Sequence, residues 1–287
     1  MKAEQLTAPV TWHGEGPCWD PVGERMLVVD MLAGVVVDLS SLTSPARYSV
    51  GSPVAAVVRP RVGGGFIVAT EHGFSLFDSG FRRERSLASV LDDPAVRLNE
   101  GGCDPAGRFF CGSMAYDETL GAASLYRVST DGSASVVFDD VTISNGLQWS
   151  LDGTRAYYID TPTHRVDVFD YSVADGVISE RRTFADVSGF DGGPDGMTID
   201  AEGGLWVAFW GGGVIRRLDP ATGAVTEEVE VPGASHTSAA AFGGASLDTL
   251  YITTSRQHLP DGAEPQAGAV FAVQPGVHGV ALPVFGG

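Results

Sequence analysis

A polar turn followed by an apolar strand recurs six times along the chain, and this repeat constrains the fold more than any other feature. The copies lead into the apolar stretches Met26–Val29, Phe66–Val68, Phe109–Cys111, Tyr157–Ile159, Leu205–Val207 and Leu250–Ile252. They lie about 40 to 48 residues apart, which is the length of a four-stranded propeller blade. Helical repeats would need a 3.6-residue periodicity, whereas these stretches are short and bounded by Gly, Asp and Pro. The repeat therefore predicts an all-β fold, a six-bladed β-propeller.

The length of the chain is compatible with a single propeller. A chain of 287 residues is long for one domain, but closed all-β folds of this size often remain undivided. We therefore expect one domain spanning residues 1–287. The extended N-terminal stretch around Ala8–Trp12 is expected to complete a terminal blade and so close the ring.

Composition and charge exclude several classes of function. The net charge of −18 argues against nucleic-acid binding, which needs clustered Lys and Arg to neutralise phosphates. No apolar run approaches the ~20 residues needed to cross a bilayer, and the N-terminus lacks the pattern of a secretory signal. The three cysteines lack CxxC spacing and are expected to be reduced core thiols. These features predict a cytoplasmic protein that binds neither membranes nor nucleic acid.

Oxygen-bearing side chains recur at one position of the repeat, five residues before the turn. In four copies this position holds a carboxylate or an amide: Glu15, Asn99, Asn145 and Asp195. In the other two copies, around Ala55 and Ser238, the residues are small or apolar. Because the innermost strands of a propeller line its axis, equivalent positions converge on one ring. The sequence therefore predicts that these side chains meet at the mouth of the central channel.

The chemistry of this ring indicates a metal site. Carboxylate and amide oxygens without thiol or imidazole suit one hard divalent cation and leave positions for water or substrate. Such oxygens accept several metals, so Ca²⁺, Zn²⁺, Mn²⁺, Mg²⁺ and Fe²⁺ all remain open. Glycines beside Glu15, Asn145 and Asp195 would let the backbone bend tightly. Asn-Gly and Asp-Gly pairs are also common hairpin turns, but a fourfold coincidence favours the metal site.

Two further residues flank the ring. Arg97 lies two residues before Asn99, so on an extended strand both side chains project to the same face. There Arg97 could hold hydroxyl or carbonyl oxygens, or it could be a surface residue at a blade edge. Asp117, just beyond a strand, could likewise be a solvated loop acid.

Motifs of other enzyme classes are not found. The six histidines show no metal-ligand spacing, and no GxSxG, P-loop or dinucleotide fingerprint occurs. No histidine is therefore given a catalytic role. His236 lies near the sixth ring position but is interpreted as a packed loop residue.

At these residues the sequence resembles the gluconolactonase, regucalcin (senescence marker protein) and luciferin-regenerating enzyme family over essentially the whole chain. The segments that carry the resemblance are Gly14–Pro17, Arg97–Gly101, Asp104–Arg108, Ile143–Leu147, Pro194–Met197, Asp200–Gly203, Phe242–Gly244 and Leu247–Tyr251. The resemblance implies a six-bladed propeller whose metal is bound by Glu15, Asn145 and Asp195. It also implies three substrate contacts, at Arg97, Asn99 and Asp117, and a role for Asp195 in activating water.

The sequence departs from the family pattern in three places. Glu100 stands where the family usually has Asp, and Ala234–Ser238 replaces a more usual Arg-Pro-Thr-Ser. Asp117 is shorter than the Glu seen in animal members. These departures bear on the choice of substrate rather than on the metal.

We therefore predict a metal-dependent lactonase that opens a small sugar lactone to the aldonic acid through a metal-activated water. Asp195 would accept a proton from that water, while Arg97 and Asn99 would hold hydroxyls and oppose the developing negative charge. A propeller hosts unrelated functions, so alternatives from other classes stay open. They are hydrolysis of organophosphate triesters on the same site, a non-catalytic calcium-binding regulator, and a protein-binding scaffold that would not need the ring.

Overall fold

Six four-stranded sheets make up the protein in the computed structural model, which describes residues 1–287. Neighbouring strands within a sheet pair antiparallel. The innermost strands of successive sheets contact one another around a closed ring. This is the six-bladed β-propeller predicted from the repeat, and the apolar stretch of each copy lies in the second strand of a blade.

The strands are numbered β1 to β24 along the chain. They are β1 (Glu4–Gln5), β2 (Gly14–Asp20), β3 (Arg25–Asp30), β4 (Val35–Asp38), β5 (Ala46–Ser49), β6 (Ala55–Pro60), β7 (Phe66–Thr70), β8 (Gly73–Phe77), β9 (Arg83–Ser89), β10 (Val96–Cys103), β11 (Phe109–Ala115), β12 (Ala123–Val128), β13 (Ala134–Val141), β14 (Ser144–Trp149), β15 (Arg155–Asp160), β16 (Arg165–Ser172), β17 (Val177–Asp186), β18 (Gly193–Ile199), β19 (Leu205–Trp210), β20 (Val214–Leu218), β21 (Val225–Glu230), β22 (Thr237–Gly243), β23 (Thr249–Thr254) and β24 (Phe271–Val273). The helices are two single 3₁₀ turns, Met31–Ala33 and Thr161–Thr163. Neither has the length or the apolar character to cross a membrane.

The N-terminus closes the ring of blades. Five blades are formed by four consecutive strands each, and the sixth combines β22, β23 and β24 with β1. The strand that completes this blade is Glu4–Gln5, so the expectation of Ala8–Trp12 is wrong. That stretch instead runs beside the loop before β24, where the amides of Val10 and Thr11 donate to the carbonyl of Gly268.

Burial decreases from the channel outwards within each blade. Second strands such as β3, β7 and β11 are apolar and buried over almost their whole length. Outermost strands such as β9 and β21 carry charged side chains and are largely exposed. A strand covered on both faces reads as a continuous apolar run, which explains why the second strands dominate the repeat. The three cysteines are free and buried, as expected.

Aspartates fix the turn between the first and second strands in three blades. Oδ1 of each accepts hydrogen bonds from backbone amides of its own turn. The other oxygen pairs with an arginine at 2.6–3.0 Å. The pairs are Asp20–Arg25, Asp104–Arg108 and Asp200–Arg217. An Asp side chain that satisfies the turn amides explains why this residue recurs in the repeat.

The C-terminal segment lies across the ends of the innermost strands that carry these turns. Gly279 forms a bridge with Asp200 in one blade, and the Gly286 amide donates to the Gly107 carbonyl in another. Phe285 in the same segment is buried. The segment therefore covers one end of the channel, and the candidate ligands lie at the other.

Candidate active site

A cavity of about 260 Å³ lies where the innermost strands begin. Five of the six candidate residues line it: Glu15, Arg97, Asn99, Asn145 and Asp195. None of these five is more than 5% exposed. The four ring positions come from β2, β10, β14 and β18, in four different blades. The structure thus brings together the side chains that the repeat places at the channel mouth.

Each ring residue lies at an irregularity of its strand. In all four blades the pairing between the first and second strands shifts register at this point. Such bulges redirect a side chain and are common next to functional sites. The adjacent glycines are needed for this path: Gly16 has a φ of +50°, and a Cβ on Gly196 would lie 2.5 Å from Cβ of Ala239.

The two ring carboxylates are poorly compensated inside the protein. Glu15 Oε2 accepts one hydrogen bond, from the Gly16 amide at 3.0 Å, and Asp195 Oδ1 has no partner. Burial raises the pKa of Glu15 to about 7, against the opposing effects of that hydrogen bond and of Arg97. Burial and the negative charges of Glu15 and Glu100 raise the pKa of Asp195 well above its usual value. The hydrogen bonds and positive charges of the chain alone therefore do not fully stabilise the ionised forms of these two carboxylates.

The two ring asparagines belong to one chain of hydrogen bonds. Asn99 Nδ2 donates to Asn145 Oδ1 at 2.9 Å and to the Ser144 carbonyl at 2.7 Å. Asn145 Nδ2 in turn donates to Thr161 Oγ1 at 2.7 Å, from the 3₁₀ turn after β15. Asn145 accepts one of these hydrogen bonds through Oδ1 and donates the other through Nδ2, so the orientation of its amide group is set. Its carbonyl oxygen keeps a second lone pair that could coordinate a cation.

Arg97 is a buried cation with donors left unused. Its Nη1 donates to Asn99 Oδ1 at 2.6 Å and to the Leu98 carbonyl at 3.2 Å, while Nε has no partner. The guanidinium lies over the ring of Tyr116, 5.7 Å from its centroid. Burial lowers the pKa of Arg97 to about 10, so it remains charged at neutral pH. A charged group of this kind is suited to hold oxygen atoms of a bound substrate.

The sixth candidate, Asp117, lies outside the cavity. Its exposed carboxylate accepts hydrogen bonds from the amide and the hydroxyl of Thr119, at 3.1 and 2.7 Å. Glu118 lines the cavity instead, and its Oε1 lies 3.8 Å from Nε2 of His258. Glu118 has a φ of +60°, so the loop after β11 does not continue the alternation of the strand. The acid that lines the cavity is therefore Glu118 and not Asp117.

The cavity wall also includes residues that were given no role from the sequence, among them His13, Trp210 and His258. His236, interpreted as a packed residue, stacks on Trp210 with ring centroids 4.4 Å apart. Burial lowers the pKa of His13 to about 3, and the charge of Arg97 adds to this effect. The available signal for His13 was its place two residues before Glu15. Strand periodicity gives no such signal for residues that loops bring to the site.

The donor set fits a hard divalent cation. Two carboxylates and the amide oxygen of Asn145 are ligands of the kind such ions prefer. Asp195 Oδ1 is left without a partner, and so is Oε2 of the buried Glu100. Burial and the charge of Glu15 raise the pKa of Glu100 to about 8. No group of three His, Cys, Asp or Glu side chains is arranged to hold a metal ion.

Comparisons with known proteins identify the family. The model of the SMP-30/gluconolactonase/LRE-like region matches residues 13–256. Regucalcin of Danio rerio is 38% identical over 278 residues, which are 95% of this chain and 94% of that protein. The structure of a luciferin-regenerating enzyme matches with a TM-score of 0.90 and 29% identity, over 99% of both chains. That of a calcium-binding protein, regucalcin, from Agrobacterium tumefaciens strain C58 matches with a TM-score of 0.90 and 28% identity, over 99% of this chain and 97% of the other. The chain therefore belongs to the SMP-30/gluconolactonase/LRE-like family.

Proposed function

We propose that this protein hydrolyses a small sugar lactone to the aldonic acid, with one divalent cation held by Glu15, Asn145 and Asp195. The observation that carries the proposal is a cavity in which under-compensated buried carboxylates meet a buried arginine with an unpaired donor. A cyclic ester needs both a base and a positive environment for its carbonyl oxygen. Membership of a family that includes gluconolactonases supports a lactone as the ester.

The size and lining of the cavity favour a monosaccharide. A volume of about 260 Å³ is below the ~300–1,000 Å³ typical of pockets for drug-sized ligands. Most of the lining residues are polar or charged. This combination suits a small, hydroxyl-rich ring better than an extended or apolar substrate.

Asp195 is the residue that would accept a proton from the attacking water. When bound, a divalent cation polarises the lactone carbonyl and lowers the pKa of a water. Burial and the neighbouring carboxyls favour the protonated form of Asp195 in the bare chain. A positive charge reverses this preference and leaves the carboxylate ionised, as a general base must be.

Arg97 and Asn99 would bind the substrate and oppose negative charge on it. The 2.6 Å hydrogen bond between them fixes both groups, and Nη2 of Arg97, which has no partner in the chain and is not enclosed, can donate to a substrate oxygen. A fixed donor of this kind typically contributes about 3–4 kcal/mol to a developing oxyanion. Glu118 at the cavity wall can accept from a sugar hydroxyl.

Cation binding without turnover is the second candidate function. The oxygen donor set suits Ca²⁺, and one similar protein is described as a calcium-binding protein, regucalcin. Such a function would use Glu15, Asn145 and Asp195 but would leave the open donor of Arg97 without a role. The two candidates therefore differ in what they require of Arg97.

Proton release from a panel of aldonolactones, measured above a metal-only blank, tests the proposal. Protein stripped by a chelator should be inactive, and one of Ca²⁺, Zn²⁺, Mn²⁺, Mg²⁺ or Fe²⁺ should restore activity. A phosphotriester assayed in parallel separates lactonase from organophosphate hydrolase activity. Equal activity of stripped and loaded protein would contradict the cation's role. Ca²⁺ binding with no turnover of any lactone would instead establish the second candidate.

A further inference from the structure

His13 is a wall residue that the proposed roles leave unused, and its position ties it to the reacting region. It lies directly before β2 and two residues before Glu15. It lines the same cavity as Arg97 and Asp195, although only 4% of its surface is exposed. A side chain buried this deeply beside a candidate ligand is placed to touch whatever fills the cavity.

The His13 ring is fixed in orientation by its neighbours. Its backbone amide donates to Asp30 Oδ1 at 3.2 Å. The His13 and Trp210 rings form a T-shaped contact, with centroids 5.7 Å apart and an interplanar angle of 80°. Trp210 in turn stacks on His236, with ring centroids 4.4 Å apart. The imidazole therefore has little freedom to turn.

Ser255 determines which ring nitrogen carries the proton. Ser255 Oγ lies 2.8 Å from Nδ1 of His13 and accepts a hydrogen bond from the Gln257 amide at 3.0 Å. Ser255 is fully buried, and its hydroxyl proton has no acceptor other than Nδ1. The hydroxyl therefore donates to Nδ1, and the neutral ring keeps its proton on Nε2.

The Nε2 atom of His13 is the free end of this arrangement. It has no partner within the chain, and it is not among the polar atoms that are fully enclosed. It therefore opens on the cavity that His13 lines. A protonated Nε2 has no lone pair with which to bind a cation, but it can donate to an oxygen atom.

We propose that His13 is a specificity-determining residue, whose Nε2–H donates a hydrogen bond to an oxygen of the substrate. The inference rests on the proposed lactonase function and adds to it a neutral donor on the wall formed with Trp210. Arg97 supplies a charged donor and Glu118 an acceptor. The substrate that fits is a lactone whose ring oxygens or hydroxyls can meet all three groups.

Replacing His13 separates a substrate contact from a metal or folding role. His13→Leu should lower kcat/KM about 10- to 100-fold, the loss expected when a bound polar group loses its one buried hydrogen-bond partner, with metal affinity and melting temperature retained. His13→Gln, whose amide nitrogen can stand near the position of Nε2, should recover part of the loss. Ser255→Ala should give a smaller loss of kcat/KM, because the proton of the ring is then no longer restricted to Nε2 while the ring itself is kept. His278→Leu, which removes an exposed imidazole at the other end of the channel, is the matched control.

Two results would overturn the inference. One is a His13→Leu variant whose kcat/KM stays within about twofold of the parent. The other is a loss of activity that follows a loss of metal affinity, which would make His13 a support for Glu15. If His13→Leu fails to fold, the same comparison is made with His13→Gln and Ser255→Ala. The activity of the parent protein on the lactone panel is measured first. A parent protein that is inactive on every lactone would refute the lactonase proposal itself.

Discussion

Removing the charge of Glu15 tests whether the ionised carboxylate destabilises the protein when no cation is bound. Glu15→Gln keeps the shape of the side chain and an oxygen that can accept from the Gly16 amide. It removes the carboxylate that burial makes costly to ionise. We expect the metal-free variant to be more stable than the parent at alkaline pH and no more stable at acid pH.

The magnitude follows from the pKa. Raising it from the ordinary value of 4.5 to about 7 corresponds to roughly 3 kcal/mol of lost stability once Glu15 is ionised. Below pH 4.5 the group is protonated in both the folded and the unfolded chain, so nothing is lost. Between pH 4.5 and 7 the folded state holds the proton more tightly, so the free energy of unfolding falls as pH rises. Above pH 7 the loss is complete.

Urea unfolding in the presence of a chelator, at pH 5 and pH 8, measures this difference. Between the two pH values the parent should lose roughly 2–3 kcal/mol more than Glu15→Gln. Asp117→Asn is the control, because hydrogen bonds from Thr119 hold the pKa of this exposed acid below its usual value. Equal pH dependence in the parent and in Glu15→Gln would refute the reasoning.

Three further perturbations distinguish the parts of the site and the scaffold. Arg97→Ala should raise KM and lower kcat while leaving metal affinity unchanged, because arginine cannot ligate a cation; steady-state kinetics and metal titration check this. Glu118→Gln should weaken substrate binding in KM measurements, whereas Asp117→Asn should leave kinetics unaltered, since only Glu118 lines the cavity. Asp200→Ala should destabilise the fold by about 3–5 kcal/mol in urea unfolding, because it removes the buried acceptor of Arg217 Nε and Trp206 Nε1 and leaves Arg217 only the exposed Glu202 as an ionic partner. The refolded Asp200→Ala protein should keep its metal affinity, since Asp200 lies at the other end of the channel.

The blade architecture was predictable because the residues that define it act within their own turn or strand. Turn aspartates such as Asp104 satisfy the amides of their own turn, and the apolar run after each turn is a strand covered on both faces. These signals recur at a period that only a closed array of blades explains. The closing strand Glu4–Gln5 carries no such signal, because its existence depends on pairing with β24 at the other end of the chain.

The ring of oxygen-bearing side chains was predictable for the same reason, and the rest of the cavity wall was not. Glu15, Asn145 and Asp195 occupy equivalent positions of the repeat, so the symmetry of the propeller brings them together. The acid at the cavity wall is set by the path of a loop. One residue with positive φ, Glu118, lies at this point of the loop, and it lines the cavity whereas Asp117 does not.

One cation held by Glu15, Asn145 and Asp195 is proposed to be required for lactone hydrolysis. Titrating a divalent ion into stripped protein while following both ion binding and acid release tests this most directly. We expect both signals to saturate together at one ion per chain, and Asp195→Asn to lose both while its far-UV spectrum stays β-rich. Acid release that persists in Asp195→Asn, or that appears before any ion is bound, would contradict the claim.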